Sequence, residues 1–82
     1  MTGDLNLSLE ELDQELLEAH QNDDRVKLTS LYRHAAELSE DAGRVEEACF
    51  RYTQAYVFAL ETGAEKHALE LRNKLVAYGR EE

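Results

Sequence analysis

Eighty-two residues with 43% apolar and 33% charged side chains suffice for one domain with a small core, and are too hydrophobic for a disordered acidic chain. The net charge of −9 is unevenly spread: Asp4, Glu10, Glu11, Asp13, Glu15, Glu18, Asp23 and Asp24 precede any Lys or Arg, whereas from Arg25 onward the two signs nearly balance. Phosphate binding needs a concentrated basic face, so nucleic acid is excluded as a direct ligand, and nothing in the chain reads as a membrane span.

The amino end, MTGDLNLSLEELDQ, is acidic where a targeting segment would be basic. The lone cysteine, Cys49, suits a reducing compartment, so a cytoplasmic location is expected. With no proline, the breaks fall at Asn22-Asp23-Asp24, Gly43 and Gly63, and they divide one domain into four helices. Short turns make neighbouring helices antiparallel, and the fold class is all-α.

The first helix is predicted over residues 8–20. Ser8 and Glu11 make a capping box, Leu7 can staple to Leu12, and Leu5, Leu9, Leu12, Leu16 and Ala19 share a face. Its acids form a solvated face; a basic partner is the functional alternative. The second helix turns Leu28, Leu31, Tyr32, Ala35, Leu38 and Ala42 inward and Ser30, Arg33, Glu37 and Asp41 outward. Gly43 and Gly63 supply the left-handed residue that ends a helix.

The third helix carries a broad stripe of Val45, Ala48, Cys49, Tyr52, Ala55, Tyr56, Ala59 and Leu60, and a second pair, Phe50 and Val57, seven residues apart. Apolar on two sides, it is expected to sit between its neighbours with both stripes covered. The fourth helix, 64–78, has a main stripe of Ala64, Ala68, Leu71, Leu75 and Tyr78 and a lesser one of Leu69 and Val76. Phe58, Leu69 and Val76 remain without a cover. Either the first helix folds over them as an acidic cap, or two chains pair through them as a homodimer.

From Thr29 the segment TSLYRHAAELSEDAGRVEEACFRYTQAYVFALET, residues 29–62, resembles a tetratricopeptide repeat, with Tyr32 at the large aromatic position and Gly43 at the turn. Ala48, Tyr52 and Ala55 match its small, aromatic and small positions; Ala35-Ala36 replace Leu-Gly, while Ser39 and Leu60 depart from tyrosine and proline. The resemblance implies a scaffold that binds a peptide or protein along the inner face of the first helix of the repeat. Transferred position by position, that face presents Ser30, Arg33, Glu37 and Glu40.

Chemistry is sparse. Cys49 lies beside apolar neighbours, which suits a packed core thiol better than a nucleophile. His20, His34 and His67 stand on three helices without a His or Cys one turn away; His67 and Glu70 can share a face, yet two ligands do not make a site. All four tyrosines fall on main stripes, there is no phosphate-binding glycine loop, and no acid–base set has usable spacing. The reading is a four-helix antiparallel array acting as a non-catalytic interaction module for a protein or peptide, with no metal or cofactor. Self-association, or a regulator that senses a small ligand or metal, is the alternative.

Overall fold

A computed structural model describes residues 9–79, with side chains from Glu10. Four helices occupy this span and there is no strand in it: α1 (Leu9–Gln21), α2 (Arg25–Asp41), α3 (Val45–Glu61) and α4 (Glu65–Ala77). Leu5, Leu7 and Ser8, and with them the expected staple and capping box, lie outside the described residues.

Every turn is the same three-residue device. Asp23, Gly43 and Gly63, twenty residues apart, take positive φ of 53°, 79° and 73°. The next residue in each case, Asp24, Arg44 or Ala64, donates its backbone N–H at 2.9 Å to a carbonyl five residues back, on Ala19, Ser39 or Ala59. The positive-φ residue itself donates three residues back, to His20, Glu40 or Leu60. This pair of bonds satisfies carbonyls that a helix end would otherwise leave open. The third turn residue then starts the next helix, its carbonyl accepting from Leu28, Ala48 or Ala68. Glycine is the natural choice where φ is positive; Asp23 holds that position as one of the few side chains that tolerate it.

Reusing one turn makes positions twenty apart equivalent, and the helices stack in sequence, α1 on α2, α2 on α3 and α3 on α4. A helix pair with its turns therefore takes forty residues, against the thirty-four of a tetratricopeptide unit. Two buried clusters follow. The first joins Leu12 and Ala19 of α1 to Leu28, Leu31 and Ala35 of α2; the second joins Ala36 of α2 to Ala48, Cys49, Tyr52, Ala55 and Ala59 of α3 and Ala68, Leu71 and Leu75 of α4. Each inner helix thus turns one row backward and another forward. Thr29 and Ser39 are buried with them, their hydroxyls donating to the Arg25 carbonyl at 3.0 Å and to Glu47 at 2.9 Å.

Helix α3 is sandwiched, but not in the way its periodicity suggests. Phe50 and Val57 are 63% and 44% exposed, so the second stripe faces water. Small residues let α2 and α4 approach so closely that the one broad stripe serves both neighbours, and only its ends, Val45 and Leu60, stay exposed. Phe58, expected to need an outside cover, has one inside the chain: it stacks on Tyr32 at a centroid distance of 5.8 Å and packs in the first cluster. The acidic first helix caps α2 and makes no packing contact with α4, so it does not cover Leu69 and Val76.

Candidate functional site

The twenty-residue equivalence brings the polar side chains together in two like knots, each tying helix n to helices n+1 and n+2. In the first, His20 Nε2 and the Tyr32 hydroxyl are 2.9 Å apart, and the Phe58 ring meets His20 edge-on and lies flat against Tyr32. In the second, twenty residues on, Glu40 stands for His20, Tyr52 for Tyr32 and Tyr78 for Phe58. The Tyr52 hydroxyl donates to Glu40 Oε1 at 2.8 Å and the Tyr78 hydroxyl to Oε2. Lys74 Nζ reaches both oxygens at 3.2 Å and sits 5.6 Å from the centre of the Tyr52 ring.

These donors favour the charged carboxylate. The Tyr78 hydroxyl, joined by Tyr52 and Lys74, holds Glu40 below the usual glutamate range against the opposing penalty of burial. Burial first and the facing Glu40 second push Tyr52 well up, and the bond to Glu40 raises Tyr78. Glu70, bonded by Arg33, and Glu47, bonded by Ser39, are lowered as well.

A carboxylate depressed in the fold contributes stability that is present above its unfolded value and lost as pH falls through the folded one. The tyrosines contribute stability that is present below their unfolded value and lost as pH rises past it. Chemical melts from neutral pH down through the carboxylate range should therefore show stability falling, and more shallowly in a Glu40→Gln variant; an acid limb of equal slope would contradict the role given to Glu40.

The four residues expected to face a partner do lie along one side of α2, yet that side is turned to α4. Arg33 bonds Glu70 at 2.8 Å, approaches Glu37 at 3.6 Å and lies 3.4 Å from His67 Nδ1. Glu40 is engaged as above, and Ser30 lines a small cavity of about 110 Å³ with His67. Leu69 and Val76 lie apart from them, exposed on the outer side of α4. His34 is half-buried with Nε2 unpartnered. Among the described residues no three His, Cys, Asp or Glu side chains are grouped so as to hold a metal ion, and no helix is long and apolar enough to cross a membrane.

A larger concavity, about 340 Å³, opens on the opposite side, where α1 and α3 flank α2. Ala35, Leu38, Ser39 and Ala42 line its floor, Leu12 and Asp13 one wall, and Arg44, Glu47 and Arg51 the other. Both guanidiniums on that wall share one carboxylate: Glu47 lies 3.9 Å from Arg44 and 3.6 Å from Arg51 while also accepting from Ser39. No single stretch of sequence marks this groove, because its residues come from three helices and its Arg residues look like ordinary surface charges.

No known protein family, no curated protein and no solved structure matches the chain.

Proposed function

We propose that this chain is a non-catalytic docking module that holds a peptide segment of a partner protein in the groove between α1 and α3. The observation that carries the reading is the pairing of a mostly apolar floor with two guanidiniums that have one carboxylate between them on the rim. Apolar concavities of this volume with a few placed polar groups suit recognition. The fitting occupant has apolar side chains for Leu12, Ala35 and Leu38 and an acidic residue for Arg44 and Arg51. Catalysis finds little support: Cys49 is buried, and Glu40 has its oxygens taken by three side-chain donors.

The tetratricopeptide-like reading puts the peptide instead on Ser30, Arg33, Glu37 and Glu40, a face whose charges already engage one another and α4. Selection of displayed peptides on the full chain separates the two. Apolar peptides bearing an acid should be enriched, and should lose about tenfold or more in affinity on an Arg44→Glu, Arg51→Glu variant while tolerating Arg33→Glu, Glu37→Arg. Loss confined to the second variant would move the site to the α2 face and reject the groove, as would selection of no peptide.

A further inference from the structure

The two ends of the array are finished differently. On the helices after the first, the backward row packs on the preceding helix, as Leu28, Leu31 and Ala35 of α2 do on α1 and Ala68, Leu71 and Leu75 of α4 on α3. On α1 the positions equivalent to Leu31 and Ala35 hold Glu11 and Glu15, with Glu18 where Leu38, Phe58 and Tyr78 stand; Glu15 pairs with Lys27 at 2.7 Å. A polar outer face is the mark of a capping helix at the end of a repeat array.

Helix α4 lacks that finish. Leu69 is 58% exposed although its equivalents Thr29 and Cys49 are buried, and Val76 is 41% exposed where Ala36 is buried and Leu16 and Tyr56 are half-buried. On α3, Phe50 and Leu60 are exposed, while their equivalents on α2, Ser30 and Glu40, are half-buried beside α4. Val57 needs no such cover, since its equivalent Glu37 is exposed beside α4. Phe50, Leu60, Leu69 and Val76 are therefore the side chains that an added antiparallel helix would cover.

We infer that the α4 side of this array is an interface that closes on a second copy of the chain, α4 against α4 about a two-fold axis between Arg72 and Asn73. That axis sets Leu69 of one copy opposite Val76 of the other, in the antiparallel arrangement of every neighbouring pair in the array. Each copy's α4 then covers the apolar side chains that the other's α3 and α4 leave exposed. Head-to-tail stacking is disfavoured because it lays Leu69 and Val76 on Glu11 and Glu15. The two-fold arrangement also carries the two acidic α1 helices to opposite ends, where like charges repel least. The interface stands apart from the peptide groove, with which it shares no residue.

Sedimentation equilibrium of the full chain from micromolar to millimolar concentration tests it. A single monomer–dimer equilibrium is expected, weakened about tenfold or more by Leu69→Glu, Val76→Glu and unchanged by Arg44→Glu, Arg51→Glu. A monomer throughout, a series of larger species growing with concentration, or a dimer that survives the Leu69 and Val76 changes would each overturn the inference. If the double variant loses its helical circular dichroism, Phe50→Glu takes its place, since Phe50 is mostly exposed and its replacement leaves the core intact. An unaltered dissociation constant in that variant would be equally fatal.

Discussion

Tyr52→Ala should remove about half of the stability of this chain. Tyr52 has no exposed surface, lies at the centre of the second cluster between α2 and α4, and is tied to Glu40 and Lys74. Truncating a buried aromatic ring costs about 3–5 kcal/mol, out of roughly 5–10 kcal/mol for a domain this small. Tyr52→Phe keeps the ring and leaves the Glu40 carboxylate its Tyr78 and Lys74 donors, so its cost should be about 1 kcal/mol. Urea melts followed by circular dichroism separate the two. If alanine and phenylalanine cost the same, the ring is not the centre of the packing and the three-helix cluster is wrongly drawn.

The second large effect comes from adding volume. Ala36 is fully buried where α2 meets the small residues of α3, and Ala48, Ala55 and Ala59 have no exposed surface either. Four alanines without exposed surface in one cluster mean that the backbones are close, leaving no room for a longer side chain. Ala36→Leu should therefore destabilise by about 1–3 kcal/mol even though leucine is the more hydrophobic residue. The same change at exposed Ala77 should stay within about 0.5 kcal/mol. A stabilised Ala36→Leu protein would show that a cavity, not a close approach, lies between α2 and α3.

The elements themselves could be read from the sequence with little trouble. Gly43 and Gly63 end helices with positive φ, as their chemistry requires, and Asn22-Asp23-Asp24 makes the remaining turn. The apolar stripes also locate most of the core, because a helix that buries Leu28, Leu31 and Ala35 repeats them at its own period. What periodicity cannot supply is the identity of the cover. Phe50 and Val57 look like a second buried stripe by their spacing alone, yet neither neighbouring helix lies over them. Phe58 is the converse case: it falls on no stripe of its own helix and is covered because Tyr32 and His20 come from elsewhere.

The polar residues were less legible. Ser30, Arg33, Glu37 and Glu40 share one side of α2 by their spacing, but their charges do not reveal that α4 brings Glu70 and Lys74 to them. The equivalence that explains it is present in the sequence as Asp23, Gly43 and Gly63, and is disguised by the different side chains that fill like positions. His20, Tyr32 and Phe58 make a mostly aromatic knot, while Glu40, Tyr52 and Tyr78 make one around a carboxylate. Comparing residues by type therefore misses a likeness that comparing turns would find.

The sequential stacking also bears on how the chain reaches its fold. Because each helix packs only on the one before and the one after, with the knots reaching a single helix further, no stage of assembly waits for distant ends of the polypeptide to meet. A first hairpin can nucleate at any of the three turns and the rest can zip onto it from either side, a route with little loop-closure entropy and correspondingly quick kinetics.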